Sequence, residues 1–209
     1  MIDRTVDPLI LAGQQIRLRD WQEADLDTYA HWLQPGHHWK ELDGPYYPTP
    51  TPAQITANIA ALRAEIERSA WPDPRHRLII AAAATDTLLG CVTWYWESVE
   101  TQWLSVGISI FDPAHWGHGY GYEALGLWSS YLLQAMPQLA RLDLRTWSGN
   151  TGMMRLAEKL GYQQEARFRK ARIVRGAYYD GLGYGVLREE WTACYPAGFA
   201  AHLATAGNG

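Results

Sequence analysis

Three glycines alternate with larger residues in the segment Trp116-Gly117-His118-Gly119-Tyr120-Gly121-Tyr122-Glu123-Ala124. An apolar run, residues 103–111, precedes it, and residues 124–133 carry apolar side chains at helical spacing. The order reads as strand, glycine-rich turn, helix. Such a turn brings backbone N–H groups to one side without side chains in the way. The helix behind it adds unpaired N–H groups and a partial positive charge. Together they are suited to a phosphate or pyrophosphate.

Several anion-binding designs share that feature. The pattern G-x-x-x-x-G-K-[ST] is absent, because no Lys-Ser or Lys-Thr closes the turn. A dinucleotide fingerprint, G-x-G-x-x-[GA], fits residues 119–124, with Asp143 about 20 residues on where a ribose-binding acid belongs. Its context fails. More than a hundred residues come first, and Phe111-Asp112-Pro113-Ala114-His115 separates strand from glycines.

Residues 116–124 closely resemble the acyl-CoA signature [QR]-x-x-G-x-[GA] of the GCN5-related N-acetyltransferase (GNAT) superfamily. Gly119 and Gly121 take its two small positions, and Trp116 stands where Gln or Arg is usual. The form Trp-Gly-x-Gly-Tyr-x-x-Glu-Ala is similar to the branch of ribosomal-protein alanine acetyltransferases RimJ and RimL. A second motif follows in order: Ser148-Gly149-Asn150, then Ala157-Glu158-Lys159-Leu160-Gly161-Tyr162. Arg17-Leu18-Arg19-Asp20 resembles the usual start of that branch, and the residues from Tyr179-Asp180 to Glu190-Trp191 resemble its finish. The resemblance spans residues 14–191.

The chain of 209 residues is long enough for one domain with a substantial core. Its 47% apolar and 19% charged residues fit a globular protein. The net charge of −4 argues against nucleic acid as a primary partner. Cys91 and Cys194 are the only cysteines and have no C-x-x-C spacing, so neither a disulfide framework nor zinc is indicated. His31, His37 and His38 straddle a Pro-Gly break without a ligand set, so no metal is expected. No apolar run approaches the roughly 18–20 residues that span a bilayer. Residues 1–7 lack signal-peptide organisation, which makes a cytoplasmic protein the expectation. Eleven tryptophans serve either core and homodimer packing or the walls of a pocket for an amine.

Periodicity places a strand at residues 14–19 and a helix at 21–33 capped by Asp20. An aromatic, proline-bearing loop follows at 37–51 and a second helix at 52–69. Three strands follow at 77–82, 88–97 and 102–111 in an antiparallel meander. A helix at 120–135, a strand at 141–147, a helix at 151–160 and a hairpin at 163–174 and 179–187 complete the order β-α-α-β-β-β-α-β-α-β-β. That is the order the resemblance implies: an α/β (α+β) GNAT fold, with a mixed, mostly antiparallel sheet of about seven strands flanked by about four helices. A single domain over residues 1–192 is expected, with residues 193–209 fraying.

The resemblance implies acetyl-CoA as co-substrate and direct attack of a primary amine on the thioester. The pyrophosphate then falls on the N–H groups of Gly117, His118, Gly119, Tyr120 and Gly121 beside Trp116, and the pantetheine arm runs along Ile110 and Phe111. An N–H near Ile110 stabilises the oxyanion. Asn150 matches a position that bonds the CoA arm, with helix capping as its alternative role. A protonated amine must lose a proton, and Glu41, Asp43, Glu97 and Glu100 are candidate bases, though a solvated surface position is the commoner role for each. Glu123 reads as structural. The family's acids do not carry over: Met153 and Ala157 stand at their positions, and Tyr162 is the nearest hydroxyl. The resemblance also places the amine acceptor beside the aromatic loop, against Trp39, Tyr46, Tyr47, Trp94, Trp96 and Tyr178. A protein of this fold that binds acyl-CoA as a sensor without turnover is the alternative function, and a dehydrogenase is a distant third. The acceptor stays open among protein N-termini and small-molecule amines.

Overall fold

A computed structural model describes residues 8–69 and 71–206. The first seven residues, which bear on a leader segment, and residues 207–209 of the tail lie outside the described residues. Eight strands form one sheet: β1 (Ile10–Ala12), β2 (Ile16–Arg19), β3 (Arg77–Ala82), β4 (Leu88–Ser98), β5 (Trp103–Ile110), β6 (Arg141–Trp147), β7 (Gln163–Val174) and β8 (Ala177–Leu187). Their spatial order is β1-β2-β3-β4-β5-β6-β8-β7. Every pairing is antiparallel except β5 with β6. Six α-helices are present among the described residues: α1 (Leu26–Leu33), α2 (Pro52–Arg68), α3 (Tyr120–Ala135), α4 (Thr151–Lys159), α5 (Arg188–Cys194) and α6 (Phe199–Ala206). The expected order of elements holds, with β1 added in front and two helices behind.

Alternation along the strands divides the core in two. Even-numbered side chains of β2–β6, among them Leu18, Leu78, Val92, Val106 and Leu144, pack under α3, α4, α5 and α6. Ile79 and Ala81 of β3, on the other face, pack with Phe111 against α1 and α2 through Leu26, Leu33, Ile55 and Leu62. The second helix starts where the sequence places it, for a local reason. The Thr51 hydroxyl accepts the Gln54 N–H (3.3 Å), and the Gln54 side chain accepts the Thr51 N–H (2.8 Å), with Pro52 at the first turn.

Two expectations are corrected. Asp20 does not cap the first helix. Its carboxylate is buried against Arg75 (2.9 Å) and takes the Leu9 N–H (2.8 Å), while Asp25 accepts the Gln22 N–H (2.8 Å) at the short 3-10 turn Glu23–Asp25 that precedes α1. The tail does not fray from residue 193. Phe199 is fully enclosed, Tyr195 and Leu203 are buried, and Trp191 and Phe199 stack at 6.0 Å. Gly126 of α3 leaves the room Phe199 needs, since a Cβ there would sit 2.1 Å from Phe199 Cζ. The apolar ring set in a small-residue tail was the legible signal.

Truncating Phe199 to alanine therefore empties a core position and is expected to lower the unfolding free energy by about 3 kcal/mol. Urea denaturation measures this, and an unchanged midpoint would mean that the C-terminal helix is peripheral.

Candidate active site

The site begins where the sheet opens. β5 pairs with β6 only at Ser105↔Asp143 and Val106↔Leu144, whereas β4 accompanies β5 as far as Gly90↔Ile110. Beyond Val106 the two strands diverge, and a cavity of about 490 Å³ fills the gap. Gly107, Ile108, Ser109 and Ile110 line it from β5, and Arg145, Thr146 and Trp147 line it from β6. The Phe111 N–H donates to Leu89 O (2.9 Å). By the alternation of an antiparallel ladder, the N–H and C=O groups of Ile108 and Ile110 then turn away from β4, toward the gap. The indole Nε1 of Trp116 meets the Ile110 carbonyl at 2.9 Å, which gives that residue a role at this point in the chain.

On the α3 side, the cavity reaches the glycine turn. The first helical bond is Glu123 N–H to Gly119 O (3.1 Å), and the N–H groups of residues 117–122 meet no protein acceptor among the described residues. Gly119 holds φ +90°, a conformation costly for any residue with a Cβ. Gly121 faces the cavity wall, where a Cβ would lie 3.4 Å from Leu156 Cδ2. Glu123 is structural, as expected. Buried, it accepts the N–H groups of Gln14 (2.8 Å) and Gln15 (3.0 Å), and Gln15 Nε2 bonds the His118 carbonyl (3.2 Å). The β1–β2 hairpin thereby fixes the turn. Arg155 and Lys159, one turn apart on α4, are exposed and line the same end.

On the opposite face, residues 37–47 close the cavity as a strap. Its 3-10 turn His38–Glu41 is followed by Leu42, whose carbonyl accepts Trp147 Nε1 (2.9 Å) and Asn150 Nδ2 (3.2 Å). Asn150 also caps α4 by accepting the Met153 N–H (3.0 Å). Its capping role is thus real, and its amide group gives one of its two N–H donors to the strap.

Asp43 lines the cavity beside Ser109. It is exposed at the cavity mouth, and the cavity wall desolvates its inner side. That desolvation pushes its carboxyl above the usual aspartate range, against the pull of Lys40 and Ser109.

Several expected site residues lie elsewhere. Glu41 is 43% exposed and bound by His38 Nδ1 (2.9 Å) and Arg175 (2.6 Å), outside the cavity wall. Burial pushes Glu97 up, but the Ser105 hydroxyl (2.6 Å) and Arg145 outweigh it and hold the carboxylate below its ordinary range. Glu100 is spent on Ser98 at the β4–β5 turn. Tyr162 is 2% exposed and lies outside the cavity lining, with its hydroxyl on Ser129 (2.8 Å) and its phenol raised by burial well above the ordinary tyrosine value. The Phe111 side chain is buried between Tyr29, Trp32 and Trp39, so only its approach to the turn is shared with the site. Gly117 lines the cavity; the side chains of exposed His118 and of Tyr120 do not.

Of the six aromatics expected around the acceptor, Trp39 and Tyr46 line the cavity. Trp94 is buried, with Nε1 on Arg75 O (2.7 Å) and Trp96 packed edge-on at 5.2 Å. Tyr47 and Tyr178 are 68% and 62% exposed, away from the lining. The sequence reading did not single out Trp147, Ser109, Arg145, Arg155 or Lys159. The β6 period and the α4 face could have offered all but Ser109.

The cavity wall contains no cysteine. Cys91 lies behind it with its thiol pushed by burial up to about 12, and Cys194 is on α5. Among the described residues no three His, Cys, Asp or Glu side chains gather as a metal set, and no helix is long and apolar enough to cross a membrane.

Known proteins share this arrangement. The profile of the family described as "Acetyltransferase (GNAT) domain" matches residues 15–163, and the chain belongs to that family. A relative in Bacillus subtilis (strain 168), the SPbeta prophage-derived uncharacterized N-acetyltransferase YokL, is 28% identical over 113 residues. The match takes in 54% of this chain and 62% of YokL, so it spans less than two thirds of that relative. The crystal structure of a GNAT-family acetyltransferase from Bacillus anthracis superposes with a TM-score of 0.68 at 16% identity, covering 87% of this chain and 99% of that one. RimL, the ribosomal L7/L12 α-N-protein acetyltransferase, in its complex with coenzyme A gives 0.65 at 13% identity, covering 86% and 98%. These two likenesses establish a shared fold.

Asn150→Ala removes both the α4 cap and the Nδ2 bond to Leu42. A lost cap costs about 1 kcal/mol. The variant is expected to melt lower and to be cut faster by protease within residues 37–47. A drop in melting temperature with unchanged cleavage of the strap would assign Asn150 to capping alone.

Proposed function

We propose that this chain is an acetyl-CoA-dependent N-acetyltransferase that passes the acetyl group directly to a primary amine. The observation that carries the reading is one cavity with two unlike ends. Unpaired N–H groups of residues 117–122 stand on the α3 side, and a carboxylate, Asp43, stands on the strap side, with the open edge of β5 between them.

The residues present fit coenzyme A. The N–H groups of residues 117–122 receive phosphate oxygens at the positive end of α3, and Arg155 and Lys159 add countercharge. The turned-out groups of Ile108 take the place β6 has vacated and bond the amide arm as a neighbouring strand does, which leaves the Ile110 N–H for the thioester. When bound, acetyl-CoA supplies an acyl carbon already activated as a thioester. The Ile110 N–H stabilises negative charge as it develops on the thioester oxygen. Asp43 takes the proton of the incoming ammonium, and its raised pKa suits that exchange better than an ordinary aspartate would. The amine nitrogen bonds to the acyl carbon as the carbon–sulfur bond breaks. The acylated nitrogen sheds its second proton as the carbon–sulfur bond breaks, and the departing thiolate, with an ordinary pKa of about 8.5, takes up that proton through water, while Asp43 returns its own to solvent. Donor and acceptor meet in one ternary complex, because the amine attacks the thioester directly.

Branch membership with RimJ and RimL and a protein N-terminus as acceptor draw support from the residue 116–124 motif and from the shared fold. Binding without turnover is favoured by one observation, the thioether of Met153 in the cavity where a hydroxyl acid is usual. Release of free CoA in an amine panel separates the two readings.

Gly121→Val tests the donor end. The wall tolerates a Cβ, so the fold is retained, while the added methyl groups occupy the approach to the N–H groups. Calorimetry is expected to show at least a tenfold loss of acetyl-CoA affinity, about 1.4 kcal/mol; unchanged affinity in the folded variant would remove the glycine turn from the donor site.

Asp43→Asn tests the acceptor end. The carboxylate form of Asp43 grows as pH rises through its raised pKa, so wild-type turnover has an acid limb above the usual aspartate range. The variant is expected to lack that limb, to lose on the order of 100-fold in kcat/KM at pH 7, and to recover toward pH 9.5, where the amine is already free. A uniform loss at all pH values would assign Asp43 a structural role.

A further inference from the structure

We infer that the amine acetylated in this cleft carries a carboxylate, received by Arg172; the inference rests on the acetyl-transfer reading and names its substrate class. The sheet separates donor from acceptor. Ile108 and Ile110 belong to the face covered by α3, and the strap with Asp43 and Tyr46 covers the other. The phosphate-binding N–H groups therefore lie across the sheet from the acceptor end, and an anion held beside Tyr46 belongs to the acceptor.

Cations crowd that end, and nearly all are matched. Arg145 is bound by Glu97 (3.2 Å) and Arg175 by Glu41 (2.6 Å). Lys40 lies over the Trp39 ring (4.8 Å) and near Asp43. Arg172 is the exception. Its guanidinium stacks on the Tyr46 ring at 4.6 Å, and Nη1 reaches the Ala171 carbonyl at 3.2 Å. Its Nε is enclosed without a hydrogen-bond partner, and no carboxylate pairs with it among the described residues. Gly181 of β8 flanks the guanidinium, where a Cβ would make ordinary contact with Arg172 Nε and Cζ at 3.8 Å.

An enclosed donor without an acceptor is a standing cost in free energy, relieved when an acceptor arrives. An arriving carboxylate is met first by Nη2, and a turn of the guanidinium that frees Nε gives the second, parallel bond of the arginine fork. Tyr46 lines the cavity and holds the fork one ring away from it. The surroundings point the same way. In a chain of net charge −4, residues 167–175 carry five cations, four on β7 and Arg175 in the turn after it. The nearby Asp180 is taken by Arg167 (2.6 Å) and the Lys170 N–H (2.8 Å). The local field attracts an anionic acceptor and disfavours a purely cationic one such as a polyamine.

Matched peptides test this without requiring turnover. Tetrapeptide amides of glycine with a free α-amino group, carrying one Glu or one Gln at the second, third or fourth position, are titrated by calorimetry into the protein saturated with CoA. In at least one pair the Glu peptide is expected to bind at least tenfold more tightly. Arg172→Gln should bring that peptide down to the affinity of its Gln partner, and Arg172→Lys should retain part of the preference because it keeps the charge and loses the fork. Melting temperatures show that the variants fold, and the Lys variant carries the test if the Gln variant does not. Equal affinities within every pair, no binding of any Glu peptide, or a preference that survives in Arg172→Gln would overturn the inference. CoA titrated alone separates the failures: normal CoA binding without a Glu preference sinks only the carboxylate receptor, whereas absent CoA binding sinks the acetyl-transfer reading beneath it.

Discussion

The structure depends on the parting of β5 and β6. A strand edge inside a protein cannot leave its N–H and C=O groups unmatched without cost. Past Val106 the edge of β5 has lost β6, and the chain answers in two ways. Trp116 turns its indole onto the Ile110 carbonyl, and the strap from residues 37–47 covers the gap from the other face, held through Leu42 by Trp147 and Asn150. The edge that remains is a ready partner for a ligand with an amide backbone. The same divergence opens the cavity through which a group held at α3 can meet a group held at the strap.

The two ends of that cavity are built by different physics. The α3 end is made of backbone. Glycine at 119 and 121, the helix terminus and the clamp of Glu123 on Gln14 and Gln15 fix N–H groups in place, with exposed Arg155 and Lys159 beside them. The strap end is made of side chains whose ionisation is set by crowding. Asp43 is pushed toward its neutral form while Glu97, a few ångströms from Arg145 and Ser105, is held as a carboxylate. Two carboxyl groups with displaced titrations therefore take unlike parts, one to exchange protons and one to fix a cation.

The sequence was legible where backbone decides the outcome. The glycine spacing at 117–121 located the turn, and helical and alternating periods located the strands and helices, because those signals are local. The helical spacing of Ile55, Ile59, Leu62 and Ile66 located α2 for the same reason. Reading failed where a side chain had to be assigned to one of two faces. Trp94 and Trp96 alternate with polar residues like any strand pair, and nothing local tells that their side of β4 meets the α3 layer. Glu41 and Asp43 are two residues apart in one loop, and only the fold shows that Arg175 and His38 claim the first while the cavity claims the second. Asp20 looked like a cap because the capping signal is short-range; its partner, Arg75, lies 55 residues away. The tail misled by composition, since a few buried rings outweigh many small residues.

Amide hydrogen exchange followed with and without CoA tests the central claim most directly, because it reads the N–H groups themselves. Among the described residues, the amides of 117–122 lack protein acceptors, and those of Ile108 and Ile110 face the gap. Saturating CoA is predicted to slow exchange at these two stretches, while the sheet between β2 and β4 is little changed. Binding of CoA that leaves residues 108–110 and 117–122 unprotected, or that protects a different surface, would contradict the account.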